Sequence, residues 1–447
     1  MTAIGGERLG GRFARLLAAS TTSALGSGMA TVAAPLYVAS QTDDPLVVSA
    51  GAAVAWLPWL LFSLPGGVLA DRVDRRRLMI VVDWVRVVAL AVLVAAIVTG
   101  RAGVALLYAV LFVVNAGEVV FRTAAQAVLP AVVPRSRLER ANGWLGAGTT
   151  VMHNMVAGPL GGFLFVVAAA IPFGVNAGTY ALSALLVGLI AGSYRGTSET
   201  GGRRSVRAEV AEGFRWLLSH RLLRTMTLLI GLLNLTLTAA LAVLVLLATQ
   251  RLGLGSVGYG ALFTCLAVGG LLGSVVGDRL VAAVTATWTI RIGLLIEAGL
   301  HLALAASRSA AVVGVALFAF GVHGALWNMV ANSLRQRLTP SALQGRVGST
   351  TLFIAAGGNC LGALLGGVVA ARFGLTAPYW VGLVVALAVI AVTWRVFDRA
   401  TVAAAYADPA PAAPQAPATL ELLDLDAWQA ENVAAVTPDA AGPDGSS

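Results

Sequence analysis

The residues best able to carry a proton or an ion lie inside long apolar stretches of this sequence. Asp83 and Arg86 are three residues apart, which places them on one face of a helix. Glu118 and Arg122, four residues apart, share a helical face in the same way. A charged side chain in hydrocarbon is costly, so both pairs are candidates for function. The structural alternative stays open for both, because each pair lowers its own burial cost.

More ionisable side chains interrupt apolar stretches later in the chain: Arg291, Glu297, His301 and His323. Glu297 and His301 share a helical face, and a histidine titrates near neutral pH, so either residue could carry a proton. No group of His, Cys and carboxylate residues has the spacing of a metal site, and Cys265 and Cys360 sit in apolar segments as packing residues would. We therefore expect neither a metal nor a cofactor.

The elements that carry these residues are predicted to be membrane helices. The chain has 447 residues, of which 58% are hydrophobic and 11% charged, against about 25% charge in an ordinary soluble domain. A helix needs about 20 apolar residues to cross the hydrocarbon core, where its backbone groups must bond internally. The predicted fold class is an all-α polytopic membrane protein of about twelve transmembrane helices. The predicted spans are 13–39, 46–70, 78–99, 103–125, 141–166, 171–192, 222–249, 257–277, 288–306, 310–333, 347–371 and 377–397.

Arginine placement predicts the orientation of these spans. All 30 basic residues are arginines, and far more of them fall beside the inner ends of the spans than beside the outer ends if the N-terminus is inside. Cytoplasmic loops carry this excess. We therefore expect a multi-pass protein of the cell membrane, inner or plasma, with both termini cytoplasmic. Because the arginines sit at helix ends and not on one face, nucleic acid is not expected as a partner.

An internal repeat divides the chain into two six-helix halves of the same orientation. Residues 66–72 are partly copied at 273–279, so that Asp278 follows Asp71 by 207 residues, and Arg346 follows Arg140 by 206. Parallel repeats of this kind occur in transporters. The predicted domains are an N-terminal half (1–192), a cytoplasmic linker with an amphipathic helix at 206–218 (193–221), a C-terminal half (222–398) and a disordered acidic cytoplasmic tail (399–447).

The sharpest motif is the run from Gly66 to Arg77, Gly-Gly-Val-Leu-Ala-Asp-Arg-Val-Asp-Arg-Arg-Arg. Its glycines allow two helices to approach closely, and the following turn places a carboxylate and several guanidinium groups at the membrane edge. A plain positively charged inner loop would explain the arginines but not the order of the residues. The second copy keeps Asp278 and Arg279 but lacks the basic run.

These segments resemble the major facilitator superfamily. Residues 66–77 are similar to its signature cytoplasmic loop, and 125–142 resemble the loop before helix five in its drug- and siderophore-exporting branch, the enterobactin-exporter-like and macrolide-efflux-like proteins. The resemblance covers roughly residues 12–398 and includes the second-half equivalents at 345–367. It implies the twelve-helix fold of that superfamily in two pseudo-symmetric halves. It also implies a conformational switch, which belongs mainly to the first half because the second copy lacks the basic run. The switch residues are Gly67, Asp71, Arg72, Arg75 and Arg76, with Asp278 and Arg279 in the second copy. A helix-five motif associated with antiporters is matched by Gly158, Pro159, Gly161 and Gly162.

The resemblance also implies a substrate cavity lined mainly by helices one, four, seven and ten. For each Asn or Ser the alternative is an interhelical hydrogen bond. Proton coupling is assigned to Glu118 with Arg122, because the resemblance places helices three and nine, which carry Asp83 and Glu297, at the periphery. The candidate cavity residues are Ser27, Asn115, His153, Asn154, Asn234, His323, Trp327 and Asn328.

The predicted function is secondary active transport. The resemblance implies export of a small amphipathic organic molecule, drug-like or siderophore-like, by alternating access and proton antiport. The expected partners are that substrate, protons and membrane lipid, and the expected state is a monomer. A proton-independent facilitator or an importer is the alternative within transport. A membrane enzyme or a signalling protein is the alternative outside it, but no nucleophile–base set stands at a membrane edge and the tail shows no recognisable binding motif, so no enzyme activity is expected.

Overall fold

The computed structural model describes residues 10–62, 73–192, 194, 206–340 and 343–394. Ten segments of this part are long and apolar enough to cross a membrane, and Ala377–Thr393 is a shorter apolar helix. With the long first helix they form the twelve predicted membrane helices. The expectations for Gly67, Asp71 and Arg72, and for the tail from 399 onwards, lie outside the described residues.

The N-terminal half contains six helices: α1 (Gly11–Gln41), α2 (Pro45–Phe62), α3 (Arg75–Val98), α4 (Val104–Val132), α5 and α6 (Ile171–Gly188). α5 runs through three consecutive segments, Leu138–Thr150, Val151–Val156 and Ala157–Val167. A linking helix, α7 (Val206–Ser219), follows. The C-terminal half contains α8 (Arg221–Ala242, extended by Leu244–Leu246 and Leu247–Arg251), α9 (Ser256–Val284), α10 (Ala286–Ala306), α11 (Ala310–Leu338), α12 (Gln344–Phe373) and α13 (Ala377–Thr393).

Local sequence signals start several of these helices. Pro45 is the first residue of α2, where its missing N–H leaves no hydrogen bond unmade. Asp74 caps α3, since its Oδ1 accepts a hydrogen bond of 3.0 Å from the Arg77 backbone N–H. Pro172 stands in the first turn of α6. These residues fall at the predicted breaks, which is why the predicted spans and the observed helices agree closely.

The packing of the helices follows the internal repeat. α2 packs against α12, and α5 packs against α9. The repeat maps α2 onto α9 and α5 onto α12, so these two contacts between the halves are equivalent. The contacts of α3 with α4 and α6 are likewise repeated by those of α10 with α11 and α13. The two halves are therefore pseudo-symmetric, as predicted.

The crossing of α5 and α9 depends on glycine at the point of closest approach. A Cβ on Gly162 would lie 2.8 Å from the carbonyl oxygen of Ser256, and a Cβ on Gly260 would lie 2.9 Å from the carbonyl oxygen of Gly158. Both distances are shorter than real side chains adopt. The helix-five motif thus forms a close backbone contact between the halves.

Replacing Gly162 with alanine is expected to lower the thermal unfolding temperature of the purified protein. The added methyl group would push α5 away from the Ser256 backbone, and overpacking of this kind costs about 1–3 kcal/mol. Gly178→Ala in α6 is the matched control, because a Cβ there meets no atom within 4 Å. Fluorescence-detected unfolding in detergent measures both. Equal unfolding temperatures for the two variants would contradict the close contact.

Among the described residues, the largest apolar cluster that the halves share lies at one end of the bundle. A smaller shared cluster joins Ala53 of α2 to Ala363 of α12. We call the end where α1 begins the proximal end and the end where α1 finishes the distal end. At the distal end one buried cluster combines residues of both halves, including Tyr37 and Val245, and Gln250 Nε2 donates to Asp43 Oδ1 at 2.9 Å. At the proximal end the described buried residues form separate clusters in each half. The halves are thus joined distally and have separate cores proximally.

The end of α9 differs from the prediction. Asp278 and Arg279 were expected to open a loop after a span ending at 277, but α9 continues to Val284 and both side chains are exposed on its surface. The residues after Arg279 are helix-compatible and include no counterpart of the α3 cap Asp74. The turn falls instead at Thr285, whose φ is +75°. The second copy of the motif is therefore helical and not a loop.

The predicted amphipathic helix is present as α7. Its Glu212 Oε2 accepts a hydrogen bond of 2.8 Å from Arg346 Nη1 near the start of α12. Leu217 packs with Leu343 and Val347 in a small buried cluster. These contacts attach the linking helix to the proximal end of the C-terminal half.

Candidate functional site

A buried charge cluster is centred on Arg86 of α3. The Arg86 side chain is 0% exposed; its Nη2 lies 2.8 Å from Glu118 Oε2 and its Nη1 lies 3.1 Å from Asp83 Oδ1. The remaining Nε–H donates to the Val114 carbonyl oxygen at 3.1 Å. Two carboxylates from two helices therefore share one guanidinium group.

Helices α1 and α6 complete the surroundings of this cluster. Ser27 of α1 donates its hydroxyl to Glu118 Oε2 at 3.0 Å and lies 2.9 Å from the Tyr180 hydroxyl oxygen of α6. The Arg86 guanidinium carbon lies 4.5 Å from the Tyr180 ring centroid, a cation–π contact. Four helices of the N-terminal half thus meet at one ionic centre.

The cluster has one acidic group more than it has guanidinium groups. Asp83 is fully buried and the Glu118 side chain is 16% exposed. If both carboxylates are ionised, the three side chains carry a net charge of −1 in a low-dielectric interior, which is costly. His153 and Arg122 also act electrostatically on Glu118. Uptake of one proton would neutralise the three-residue group, so this arrangement is chemically suited to hold a proton.

The partner of Glu118 differs from the one that its spacing suggested. Arg122 was paired with Glu118 as its neighbour one turn along α4, but its guanidinium lies over the Trp59 ring of α2, 5.4 Å from the centroid. Glu118 instead points to Arg86 and Ser27, on α3 and α1. The predicted Asp83–Arg86 pair is present. The reason is that two donors from neighbouring helices satisfy Glu118 better than one exposed arginine on its own helix.

Helices three and nine contribute interior acids, although the resemblance placed them at the periphery. Asp83 of α3 is 0% exposed beside Arg86. Glu297 of α10, the ninth membrane helix, is 2% exposed and lines a cavity. The expectation that Glu118 alone among these carboxylates lies on a cavity-lining helix is therefore wrong, because Glu297 lines cavity A.

Two cavities lie on either side of α11. Cavity A, of about 390 Å³, is lined mainly by α8, α10, α11 and α12 within the C-terminal half. Cavity B, of about 610 Å³, lies between the halves and is lined by α1, α5, α9 and α11. Phe320, Gly324 and Asn328 of α11 line both, so the two spaces are neighbours across one helix.

The predicted cavity residues divide between these spaces. Ser27 and Asn115 are not among the residues that line either cavity: Ser27 belongs to the charge cluster, and Asn115 Nδ2 donates to the Leu111 carbonyl oxygen at 2.8 Å. The others are distributed as follows: Asn234, His323 and Trp327 line cavity A, His153 and Asn154 line cavity B, and Asn328 lines both.

The middle segment of α5 places His153 and Asn154 at cavity B. Val151–Val156 is a π-helical segment between two α-helical ones. A π-helical turn changes the direction in which side chains point, and such turns occur often at functional sites. Sequence spacing alone gives no signal for this segment.

Two arginines of the switch motif anchor the start of α3 inside the N-terminal half. Arg75 Nη1 donates to the Ala127 carbonyl oxygen of α4 at 3.1 Å. Arg76 Nε donates to the Val187 carbonyl oxygen at the end of α6 at 3.2 Å. A cation is favoured at the C-terminal end of a helix. The assignment of these residues to a conformational switch stays a prediction.

At positions that the internal repeat relates, a large basic side chain lies on α3 in the N-terminal half but on α11, the equivalent of α4, in the C-terminal half. Gly293 of α10 follows Arg86 by 207 residues, and His323 of α11 follows Gly117 by 206. Arg86 fills the space beside Gly117, and the His323 ring fills the space beside Gly293. Each half therefore keeps one glycine and one large side chain at the equivalent crossing, but on opposite helices. Aligning the repeats would have identified this exchange from the sequence.

Solved transporters share this fold. A mutant of the nucleoside transporter NupG has a TM-score of 0.71 and 9% identity, over 87% of this chain and 100% of that one. A bacterial homologue of the iron transporter ferroportin in an inward-facing state has a TM-score of 0.67 and 16% identity, over 88% and 100%. An inward-facing, unoccupied bacterial homologue of the human lysosomal transporter Spinster has a TM-score of 0.63 and 16% identity, over 88% and 96%. At these identities the likeness shows the fold alone.

Sequence comparison adds a partial relative and a family. Macrolide efflux protein A of Streptococcus pyogenes is 29% identical over 133 residues, which are 30% of this chain and 33% of that protein. The chain thus matches about a third of the length of this curated relative. The transmembrane secretion effector family matches residues 10–423, nearly the whole chain. The chain belongs to this family and is a multi-pass membrane transporter of the major facilitator superfamily.

Proposed function

We propose that this transporter exports a small amphipathic organic molecule across the cell membrane by alternating access. The observation that carries the proposal is cavity B, which lies between two halves whose largest shared apolar cluster, among the described residues, is at the distal end. Rocking of the halves about the α2–α12 and α5–α9 contacts would close the proximal end and open the distal one. The partial similarity to an efflux protein supports the outward direction. One chain encloses both cavities, in keeping with a monomer.

Proton antiport is the coupling that the charge cluster supports. Protonation of Glu118 would remove one negative charge and leave Arg86 with Asp83 as its counter-ion. The contact from Ser27 of α1 to Glu118 would weaken at the same time, because a neutral carboxyl is a poorer acceptor. A proton would thereby change the contacts that join α1, α3 and α4. Such a difference in contacts between two states is what a coupled ligand requires.

Transport in inverted membrane vesicles tests the proposed function. Vesicles that contain the protein should accumulate at least one member of a panel of dyes, macrolides and siderophores when an inward-acidic proton gradient is imposed. Vesicles without the protein are the control. Accumulation that persists after the gradient is collapsed would indicate a proton-independent facilitator. If no compound moves in either direction, the proposal of small-molecule export fails.

We expect both termini to lie on the cytoplasmic side, with the proximal end of the bundle facing the cytoplasm. The arginine bias toward the inner ends of the spans motivates this orientation. A reporter enzyme that is active only outside the cytoplasm should be inactive when it is fused after Arg399. The same reporter inserted after Arg101, in the predicted outer loop between α3 and α4, should be active. The reverse pattern would show that the topology is inverted.

A further inference from the structure

Cavity A is lined by a buried carboxylate, Glu297, which is 2% exposed. Its Oε1 has no hydrogen-bond partner in the part of the chain that the structure describes. His301 Nε2 lies 3.8 Å from this oxygen, which is beyond hydrogen-bond distance. An ionised carboxylate left in this state is costly, and a positively charged occupant of the cavity would lower that cost.

Among the described residues, the other titratable or charged groups near Glu297 do not donate a hydrogen bond to its Oε1. His301, on the same helix, has no hydrogen-bond partner for either ring nitrogen among the described residues. His323 lines the cavity from α11. Arg335, also of α11, donates its Nη2–H to Asn332 Oδ1 at 2.9 Å. The residues that α8 and α12 contribute to the lining carry no charge.

An aromatic group lines the same cavity as this carboxylate. The His323 ring centroid lies 5.8 Å from that of Phe320 and 6.1 Å from that of Trp327, and all three residues line cavity A. Aromatic faces attract cations electrostatically and also pack against apolar groups. A cavity lined by a carboxylate and an aromatic cluster is therefore suited to a molecule with one positive charge on an apolar body.

We propose that cavity A binds an amphipathic organic cation, with Glu297 as the counter-ion of its charged group and Trp327 and Phe320 against its apolar body. This inference rests on the proposed function and narrows the substrate class to cations. A bound cation would balance the negative charge that Glu297 places at the cavity wall. It would also reach the helix that separates cavity A from cavity B, because Phe320 lines both.

Binding to the full-length protein in lipid nanodiscs tests this proposal. Radiolabelled tetraphenylphosphonium serves as the cationic probe, because its charge is permanent, and N-phenyl-1-naphthylamine serves as the neutral probe. Glu297→Gln should weaken tetraphenylphosphonium binding by about tenfold or more, because the ion loses its opposite charge in a low-dielectric cavity. Its affinity for the neutral probe should stay within about twofold of wild type. Glu297→Asp should retain most of the cation affinity.

Three results would overturn the proposal: unchanged cation affinity in Glu297→Gln, an equal loss for both probes, or no tetraphenylphosphonium binding to the wild type. If Glu297→Gln does not fold, Asn234→Asp decides, since a second carboxylate in cavity A should strengthen cation binding alone. No change in that variant would also overturn it. Measuring the export of both probes in inverted vesicles separates the proposal of cation binding from the proposed function of small-molecule export. Export of the neutral probe alone contradicts cation selectivity, whereas the proposed function fails if neither probe and no compound of the panel is exported.

Discussion

Replacing Arg86 with methionine is expected to cost about 3–5 kcal/mol of folding free energy, as does breaking a buried ion pair from one side. The variant would leave Asp83 and Glu118 buried without the guanidinium that both contact at 3.1 and 2.8 Å. It would also lose the hydrogen bond to the Val114 carbonyl oxygen and the stack on the Tyr180 ring. Methionine has a similar length and stays apolar, so the loss of charge dominates the effect.

Two further variants identify charge as the cause. Arg122→Met removes an exposed guanidinium from the Trp59 ring and should change the unfolding temperature little. The triple variant Asp83→Asn, Arg86→Met, Glu118→Gln removes the whole ionic group. It should recover much of the lost stability, since neutral replacements of buried ion networks are often tolerated. Thermal unfolding in detergent measures all three. If Arg86→Met unfolds at the same temperature as Arg122→Met, the cluster does not stabilise the fold.

The helices of this fold are predictable from sequence for a physical reason. In lipid, the backbone groups of a long apolar segment must bond to one another, so such a segment forms a helix of about 20 residues. Local residues such as Pro45 and Asp74 mark where the helices begin. Two helix ends differ most from the prediction: α4 runs to Val132 and α9 to Val284, each seven residues past its predicted span. The extension of α9 past Asp278 depends on which residues follow the motif.

The pairing within the charge cluster was only partly predictable. Asp83 and Arg86 are three residues apart on one helix, so spacing alone predicts their contact. The choice between Arg86 and Arg122 as the partner of Glu118 depends on how α3 and α4 pack, and sequence spacing carries no information on that packing. Tyr180 was missed for the same reason, because it reaches the cluster from α6.

The resemblance, and not the residue spacing, gave the wrong expectation for the position of Glu297. A general arrangement of helices places helix nine outside, yet one face of α10 points inward, and Glu297 lies on that face. The repeat offset gives a usable signal, since it matches Gly293, one turn before Glu297, with Arg86 of the N-terminal cluster. Both halves thus place ionisable groups at the crossing of their third and fourth helices.

This arrangement suggests a division of roles between the halves. In the N-terminal cluster Arg86 balances one of the two carboxylates, so a proton can neutralise the other. Glu297, by contrast, lacks a hydrogen-bond donor among the described residues and lines a cavity. Separate sites for proton and substrate can still be coupled if both bias the same movement of the halves. Glu297→Gln and Glu118→Gln are then expected to fail differently: the first in binding a cation, the second in using the proton gradient.

Glu118→Gln is expected to abolish proton-driven export while leaving substrate counterflow measurable. Glutamine keeps the size of the side chain and an oxygen that can accept the Ser27 hydroxyl, and Arg86 keeps Asp83 at 3.1 Å as its counter-ion, so the protein should fold. The substitution fixes the cluster at the charge of its protonated state. A carrier fixed in that state can exchange substrate across the membrane but cannot return a proton.

The assay compares the two modes in the same proteoliposomes. Net export under a pH gradient should fall to the level of protein-free vesicles in Glu118→Gln, whereas exchange of labelled for unlabelled substrate should continue. Gln126→Ala is the control on the same helix, because that side chain is exposed and lines neither cavity, and it should keep both activities. If Glu118→Gln retains gradient-driven export, the coupling proton does not reside on Glu118. Loss of exchange together with export in Glu118→Gln would make this carboxylate a residue for the movement of the halves and not for the proton.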